Sequence, residues 1–476
     1  MKIEHGKIDK DAKIVIVGAG PAGLSTAWFL SKNGFHNVTV LEKLGRVGGL
    51  CKSLTVDGMS FDLGANYLTW AYQETLKIAK ELGATTYPEK PYISIELNDN
   101  ESEFKYRSFL DAILFDSNTG KKVSLTCFII ASLRYFYIRW TLRGVIDIPD
   151  YLAKIHSHPE LCTSFIAWLE KNKLMPLSTL FQFPITIMGY GKLEDIATPY
   201  ALRYMSLRTF FPMVFGRLPM IGWIIGTWPR RFTLGFQRLW ERVAWMTNVR
   251  LNVNITRIER SAENIKIDFE YPEQNLNEIK IVKATQHYDY LILACPLTPD
   301  VLKNLGLQWN TAEQKISNAI QINPYCMTTF WIDHMDMPQP IAPILPIPKQ
   351  GIPWAIARQF QDRGNKFTQF YTRPKADEID DKVIEKVKTL IKLLKGHINE
   401  TQGRWHTFDR FTYFQHFTAE QIKEGVYVDF ANMQGKNKTF YVGGATDFEL
   451  VEPIVQHSKY IVEKYFVGMD EISEAR

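Results

Sequence analysis

The sequence predicts an α/β fold built around a parallel sheet, and a strand, a glycine-rich turn and a helix near the start of the chain are the first evidence. Residues 13–17 are rich in β-branched side chains, and the glycine-rich turn follows directly. The next stretch has the composition of a helix and ends on Gly34. A second β-rich run, 37–41, ends at Glu42, at the spacing of one βαβ crossover. Both strands are therefore predicted to be parallel and central.

The predicted fold class is α/β, with a Rossmann-like nucleotide-binding domain built from discontinuous segments, a mixed α+β substrate domain and a helical subdomain. A chain of 476 residues is too long for one core. The nucleotide-binding domain is assigned to residues 10–74, 233–299 and 431–470, a helical and substrate-facing region to 75–232, and the sheet of the substrate domain to 300–430. The later segments are assigned from strands predicted at 249–258, 265–269, 288–294 and 439–442 and a helix at 453–466.

The composition is that of a soluble globular protein and excludes several classes of partner. Hydrophobic residues make up 46% of the chain and charged residues 22%. The net charge of +5 comes from 56 basic and 51 acidic residues that are interspersed, so no nucleic-acid partner is expected. The hydrophilic N-terminus lacks the apolar core of a secretory signal, so a cytoplasmic protein is expected. Five cysteines without a CxxC pair indicate neither a zinc site nor a disulfide framework, and no metal is expected.

The glycine-rich turn has the spacing of a dinucleotide-binding site. In its GxGxxG pattern the first glycine permits the tight turn, the second lets the pyrophosphate approach backbone, and the third lets helix and strand pack closely. The helix N-terminus offsets phosphate charge. Glu42 is placed to accept hydrogen bonds from the adenosine ribose; a glycine turn that serves packing alone is the alternative. The predicted nucleotide contacts of the turn are Gly18, Ala19, Gly20, Pro21, Ala22 and Gly23.

The segment after the second strand separates FAD from NAD. The sequence EKLGRVGG, residues 42–49, resembles the ExxxRxGG segment of flavin amine oxidases, phytoene desaturases and their relatives, which NAD dehydrogenases lack. The resemblance implies a glutathione-reductase-type domain with FAD as cofactor. Gly48 and Gly49 would let backbone approach the diphosphate and flavin, and Arg46 would add positive charge. A solvated turn is the alternative.

Two further segments agree with this family. The segment that contains Gly64, Ala65 and Asn66 looks like the stretch that lies against the isoalloxazine ring. Near the C-terminus, TFYVGG resembles the TFYAGE-type motif, with Gly444 in place of the usual acid. The helix that starts near Pro453 would aim its N–H groups at the N1 and O2 side of the flavin. The other FAD contacts that the resemblance implies are Lys43, Leu50, Ile255 and Ile454.

The sequence departs from the family pattern and lacks a second nucleotide motif. Leu50 stands where relatives usually have Arg or Lys, a contact that Lys52 could supply. Gly189 and Gly191 lack the third glycine and the acid of a dinucleotide site, so no NAD(P)H site is predicted. The substrate itself would then reduce the flavin, and oxygen, another acceptor or the same substrate skeleton would reoxidise it. This favours oxidase, desaturase or isomerase chemistry over a monooxygenase.

The sequence also resembles the bacterial FAD-dependent polyunsaturated fatty acid double-bond isomerases over most of its length. The resemblance implies that flavin N5 removes a hydride from a bis-allylic carbon and returns it at another carbon, with no net redox change. The alternatives are a flavin oxidase or desaturase of an amine, a prenyl lipid or a specialised metabolite, and a scaffold that keeps FAD for structure. The matching stretches are VGAGPAGL with LEKLGRVGGLCKS, 188–204, 419–427, and 433–443 with 457–459.

The middle of the chain suits an apolar, lipid-like substrate. Residues 202–228 contain six aromatic side chains that could line a tunnel, although ordinary core aromatics are an equal alternative. Tyr67, Phe210 and Phe211 are the catalytic candidates, as aromatic rings that could flank a planar cation over the flavin. The six aromatic positions are Tyr204, Phe210, Phe211, Phe215, Trp223 and Trp228.

Basic residues suggest two surface features. An apolar loop, 219–229, has Arg217, Arg230 and Arg231 at its flanks and could rest on an anionic membrane surface as a peripheral contact. In residues 125–146, three arginines are spaced to share part of a helix face, as in a solvated or membrane-facing helix. These three are Arg134, Arg139 and Arg143, and the candidate anchors for a substrate carboxylate are Lys90, Lys105 and Arg107.

Overall fold

The computed structural model describes residues 8–89, 94–97, 102–116, 121–215, 229–275, 278–337, 341–345, 347–348, 350–401 and 406–468. The strands are β1 Ile14–Val17, β2 Val38–Leu41, β3 Ser53–Val56, β4 Met59–Asp62, β5 Thr86–Pro88, β6 Ser94–Leu97, β7 Phe104–Arg107, β8 Phe115–Asp116, β9 Lys121–Lys122, β10 Arg230–Phe232, β11 Asn248–Arg250, β12 Asn254–Arg260, β13 Ile265–Asn275, β14 Glu278–Tyr288, β15 Tyr290–Leu293, β16 Gln321–His334, β17 Ile341–Pro343, β18 Pro353–Ala357, β19 Phe367–Thr372, β20 His397–Ile398, β21 Thr407–His416 and β22 Thr439–Tyr441. The α-helices are α1 Pro21–Lys32, α2 Gln73–Glu81, α3 Phe109–Ile113, α4 Leu125–Thr141, α5 Arg143–Ile146, α6 Tyr151–Ile155, α7 Phe165–Lys171, α8 Ser178–Gln182, α9 Thr198–Tyr204, α10 Leu207–Phe215, α11 Phe236–Trp245, α12 Pro299–Asn304, α13 Thr311–Ala319, α14 Asp380–Leu393, α15 Ala419–Lys423, α16 Val426–Ala431 and α17 Val451–Ile461.

The central sheet is parallel and joins stretches that are far apart in the sequence. Its strand order is β11-β2-β1-β15-β22. In the register, Ile14 pairs with Val38 on one side and with Tyr290 on the other. All four residues of β1 are buried: Ile14 and Ile16 belong to the hydrophobic cluster that contains α1 and α17, and Val15 and Val17 to the cluster that contains β12 and β13. The predicted α/β fold with a discontinuous nucleotide-binding part is confirmed.

The helix after β1 extends the predicted one toward its N-terminus. Pro21 occupies the first turn, where its missing N–H is not needed and its fixed φ suits a helix. α1 packs against α17, and the Ser458 hydroxyl donates to the Ala22 carbonyl at 3.3 Å. α17 begins at Val451, just before the predicted start at Pro453. Helices from the first and last parts of the chain therefore belong to the same layer.

The strand predicted over 249–258 is two strands in different sheets. β11 belongs to the central sheet, whereas β12 belongs to an antiparallel sheet of order β12-β13-β14. Asn252 separates them with φ of 56°, a left-handed conformation that interrupts extended backbone. Its N–H donates to the Leu44 carbonyl at 3.1 Å, which holds the break beside the end of β2.

A second large sheet and a group of helices form much of the remaining described structure. The sheet has the order β17-β18-β19-β16-β20, and β21 pairs with β16. In β18, Ile356 packs into the cluster behind the sheet with α14, while Ala355 and Ala357 point to the other face, as the two-residue period of a strand requires. Helices α9 and α10 lie on the side that Ala355 and Ala357 face, since Tyr204 and Thr209 line the same cavity. In the ranges given above, no helix is long and apolar enough to cross a membrane.

The predicted arginine face of residues 125–146 is only partly formed. Arg134 and Arg143 are exposed, but Arg139 is fully buried. Its Nε donates to the Leu202 carbonyl at 3.2 Å, and its guanidinium pairs with Asp147. The prediction that all three share a solvated or membrane-facing surface is therefore wrong for Arg139, because the helix turns this side chain into the core.

Candidate active site

The glycine turn after β1 leaves a helix N-terminus open to an anion. Gly18 has φ of 108°, and a Cβ there would lie 2.9 Å from the Ala294 carbonyl oxygen. A Cβ on Gly23 would lie 1.9 Å from the Gly18 carbonyl oxygen, so only glycine allows the helix this close to the strand. Gly20 precedes the first turn of α1 and no side chain caps it. The first N–H groups of α1 can therefore bind a phosphate.

Glu42 stands at the end of β2, beside this turn. One carboxylate oxygen accepts from the Ala19 N–H at 2.7 Å and the other from the Leu44 N–H at 2.8 Å. The Glu42 carbonyl accepts from the Val253 N–H at 2.9 Å. Ile255 is buried in the strand that follows Val253. The carboxylate predicted to bind the ribose is therefore held in position by backbone from both sides.

A second glycine segment faces the first. The Gly48 N–H donates to the Ala19 carbonyl at 2.8 Å, and a Cβ on Gly49 would lie 3.1 Å from the Gly20 Cα. Arg46 donates from Nη1 to the Gly49 carbonyl at 3.0 Å, so it braces this segment. Two glycine-rich backbone segments thus lie against each other, and N–H groups presented in this way can bind a diphosphate. Lys43 is exposed next to it.

The segment after β4 is tied closely to Leu50. A Cβ on Gly64 would lie 1.7 Å from the Leu50 carbonyl oxygen, which accepts from the Ala65 N–H at 3.1 Å. Lys52, the predicted substitute for a missing cation at Leu50, forms an ion pair with Asp409. The side chain of Lys52 is therefore already engaged with the sheet strand β21.

A buried polar cluster lies directly past this segment. The amide of Asn66 donates to the Tyr371 hydroxyl at 3.3 Å. The Arg231 guanidinium carbon lies 4.4 Å from the centre of the Tyr67 ring, and Arg231 pairs with buried Glu89. Burial raises the pKa of Tyr67 and of Tyr371, so both phenols stay protonated. Arg231, Glu89 and Tyr371 could not be assigned to this site from the sequence, because only the tertiary fold brings them next to Tyr67.

A carboxyl group occupies the space beside Gly444, where the family pattern has an acid. A Cβ on Gly444 would lie 2.7 Å from the carboxyl carbon of Glu449. Glu449 is buried, and its carboxylate accepts from the Gln415 N–H at 2.6 Å. Burial raises the pKa of Glu449 to about 7. Glu449 was not among the predicted site residues, although an acid between the paired glycines and the last helix could have indicated it.

The last helix begins beside this carboxyl group. Leu450 precedes the first turn of α17 without a capping side chain. Pro453 and Ile454 lie in the first turn and are buried. Glu452 does not face a ligand, because its carboxylate accepts from the Glu74 and Thr75 N–H groups at the start of α2. The N–H groups of the first turn are thus free of a side-chain cap, and their contact with the N1 and O2 side of the flavin stays a prediction.

A largely apolar cavity opens next to Asn66 and Tyr67. Its wall combines the segment after β4, helices α9 and α10 with the turn before them, and the face of the large sheet. Among the described residues that line it, none is Lys, Arg, His, Asp or Glu. The lining residues are Asn66, Tyr67, Thr69, Phe183, Pro184, Ile187, Met188, Tyr204, Thr209, Pro212, Met213, Pro229, Ile341, Pro343, Ala355, Ala357 and Tyr371.

The predicted aromatic tunnel is only partly present. Tyr67 and Tyr204 line the cavity. Phe210 packs in the helical core instead, with its ring centre 4.6 Å from that of Tyr135. Phe211 stacks on Trp70 outside the lining. Neither Phe210 nor Phe211 is thus placed to flank a reacting group, since successive positions of α10 point to different neighbours. Trp223 and Trp228 lie outside the described residues.

Of the predicted carboxylate anchors, the two that the structure describes do not line this cavity. Lys105 and Arg107 both pair with Glu96 on the hairpin of β6 and β7. Lys90 lies outside the described residues, as do Arg217 and residues 219–228 of the predicted membrane loop. The prediction of basic loop flanks is wrong for Arg231, which is buried, and Arg230 donates to Thr86.

The second glycine pair serves packing. A Cβ on Gly189 would lie 2.7 Å from the Tyr325 ring, and Gly191 approaches Asn323. The preceding residues form turns rather than a strand. This pair therefore has no strand–turn–helix context of a nucleotide site.

Comparisons with known proteins agree with the nucleotide-binding geometry. The family model for the NAD(P)-binding Rossmann-like domain matches residues 16–82. The chain is 44% identical over 80 residues to a putrescine oxidase of Kocuria rosea, over 17% of this chain and 16% of that protein. It is 42% identical over 72 residues to a polyenoic fatty acid isomerase of Ptilota filicina, over 14% of each chain. The chain thus aligns with less than a fifth of the length of these two relatives.

One solved structure extends the likeness to the whole fold. The CLA-producing fatty acid isomerase from P. acnes superposes with a TM-score of 0.77 at 21% identity, over 96% of this chain and 100% of that one. The paired glycine segments, Glu42 and the open start of α1 fit FAD, which is the cofactor of this domain. The chain accordingly contains an NAD(P)-binding Rossmann-like domain and has the fold of the fatty acid isomerase.

Proposed function

We propose that the protein is an FAD-dependent enzyme that moves double bonds along a polyunsaturated fatty acid or a similar lipid without net oxidation. The observation that carries the proposal is the wall of the cavity beside Asn66 and Tyr67, which holds no charged side chain among the described residues. Such a wall suits a long hydrocarbon chain, because apolar burial drives its binding. FAD, when bound, supplies a hydride acceptor that can also return the hydride.

The lining residues support hydride transfer better than proton abstraction. The titratable groups among the described lining residues are tyrosines, and burial raises the pKa of Tyr67 and Tyr371. A protonated phenol is a poor general base at neutral pH. The work of these residues is then to hold the substrate carbon near the flavin and to exclude water.

Tyr67 is the aromatic residue best placed to contact the reacting part of the substrate. Arg231 covers one face of its ring. A delocalised cation on the substrate could therefore contact only the other face of the Tyr67 ring, or its hydroxyl, on the side of the cavity. Asn66 and Tyr371, which hydrogen bond to each other, would keep the neighbouring wall in place.

A flavin oxidase or desaturase is the second candidate. The segment that the chain shares with putrescine oxidase favours it. A cationic amine fits the cavity poorly, because its described lining offers no carboxylate. An oxidase in this cavity would therefore act on an apolar substrate, with oxygen or another acceptor taking the electrons.

The test is to incubate the flavin-loaded protein with polyunsaturated fatty acids with and without oxygen. Diene absorbance, flavin bleaching and peroxide are followed together. Conjugated diene formed equally in both conditions, without peroxide, is the expected result. Peroxide or lasting bleaching would assign the protein to the oxidase or desaturase class, and no signal in any channel would refute the lipid substrate.

A further inference from the structure

Helix α4 exposes a stripe of large apolar side chains. The stripe consists of Leu125, Ile129, Leu133, Phe136, Tyr137 and Trp140. Leu133 is 63% exposed and Trp140 50%. Single exposed apolar side chains are common on water-facing helices, but a contiguous group of them is rare. At ~100° per residue, the six positions cover roughly 120° of the helix surface. The apolar stripe is therefore one continuous patch.

Rotation of α4 about its axis cannot bury this stripe. The opposite face of α4 already carries the core contacts, through Phe128, Ala131 and Tyr135. The Tyr135 hydroxyl donates to the Met205 carbonyl at 2.6 Å, which fixes the rotation of α4 against the turn between α9 and α10. A helix that is apolar on both faces needs a second apolar environment.

The charged residues of α4 and of the positions just before and just after it are basic. α4 contains no Asp or Glu. Arg134 and Arg143 are exposed at the two edges of the stripe, and Lys121 and Lys122 are exposed just before the helix. The Arg143 guanidinium lies 4.0 Å from the centre of the Trp140 ring. An aromatic residue with a cation beside it suits the boundary between lipid headgroups and acyl chains.

We propose that α4 is a membrane-docking helix that lies in the surface of an anionic phospholipid bilayer, with the apolar stripe between the headgroups. A second copy of the chain is a poor occupant, because face-to-face packing would bring the two sets of Lys121, Lys122, Arg134 and Arg143 together. At 17 residues, the helix is ~25 Å long and lies along the surface rather than across it.

The position of α4 connects such docking with the cavity. Its buried face contacts Met205 and Leu202, next to α9 and α10, whose residues Tyr204 and Thr209 line the cavity. A lipid taken from the bilayer would therefore have a short path to the cavity. This last step rests on the proposed function, whereas membrane docking itself does not.

Vesicle sedimentation with the flavin-loaded protein tests the proposal. The vesicles are equal parts phosphatidylglycerol and phosphatidylcholine, compared with phosphatidylcholine alone. The variant Leu133→Ser/Phe136→Ser/Trp140→Ser should bind the anionic vesicles at least about tenfold more weakly, because three apolar side chains no longer enter the bilayer. Arg134→Gln/Arg143→Gln should weaken binding to the anionic vesicles and make it less dependent on salt.

A matched control uses apolar residues that are equally exposed elsewhere. Ile279 and Ile281 on β14 are 72% and 56% exposed, so Ile279→Ser/Ile281→Ser should bind vesicles as the unaltered protein does. Absence of binding to anionic vesicles, equal loss in the control, or a dimer that the stripe variant abolishes without vesicle binding would each overturn the proposal. Flavin absorbance and activity in detergent, measured in parallel, separate failed docking from a wrong enzymatic assignment.

Discussion

Replacing Glu449 with glutamine should stabilise the protein without FAD at alkaline pH. Burial raises the pKa of Glu449 from an ordinary 4.5 to about 7. In this window the folded protein holds a proton that the unfolded chain has lost, so the free energy of unfolding falls as pH rises from about 4.5 to about 7. A shift of this size is worth about 3 kcal/mol. Glutamine carries no charge and avoids this loss.

The same substitution should weaken FAD binding. The Glu449 carboxyl group lies where a side chain on Gly444 would begin, and the family pattern has its FAD-contacting acid at that position. A hydrogen bond to a charged group contributes about 1.5–3 kcal/mol. Loss of the carboxylate should therefore raise the dissociation constant of FAD by about one to two orders of magnitude. Stability without cofactor and affinity for cofactor are expected to change in opposite directions.

Two measurements decide whether this reasoning holds. Urea unfolding of the FAD-free protein at pH 5 and pH 8 gives the stability difference between Glu449→Gln and the unaltered chain, with exposed Glu170→Gln as the control. Titration of each FAD-free protein with FAD, followed by flavin fluorescence, gives the affinity. A variant that is less stable at pH 8, or that binds FAD as tightly as the unaltered protein, would refute the assignment of Glu449.

Three further substitutions test the rest of the site. Gly64→Ala places a Cβ against the Leu50 carbonyl and should cost about 2–4 kcal/mol of stability and most of the FAD content, measured by urea unfolding and flavin absorbance. Glu89→Gln leaves the buried Arg231 guanidinium without its ionic partner and should cost about 3–5 kcal/mol, and normal stability would contradict the pair. Tyr67→Leu should keep FAD content but lower turnover, and unchanged turnover would remove Tyr67 from the mechanism.

The nucleotide-binding half of the site could be predicted because its residues are close in sequence. The turn from Gly18 to Gly23 and the acid Glu42 are all placed by one βαβ unit, whose geometry is the same wherever it occurs. The paired glycines 48 and 49 follow within the same unit. Local sequence therefore determines the phosphate and ribose contacts almost completely.

The cavity could not be predicted in the same way, because its wall comes from distant segments. Tyr67 meets Arg231 and Tyr371 only through the tertiary fold. The direction of Phe210 depended on which face of α10 packs against α4, and composition does not contain that information. The family pattern places its acid at the position of Gly444. In this fold the carboxyl group beside that position belongs to Glu449, five residues later, and the pattern alone does not predict it.

The charges near the cavity are paired within the protein, and this limits how a fatty acid can bind. Arg231 is held by Glu89 and Lys52 by Asp409, and the described cavity wall itself has no charged side chain. The Arg231–Glu89 pair is buried, and a buried ion pair contributes little net stability, so this pair is better explained as neutralising the charge beside Tyr67. A carboxylate drawn into this wall would lose its hydration without gaining a partner. We therefore expect the hydrocarbon part of the substrate to enter the cavity while its charged end stays at the mouth.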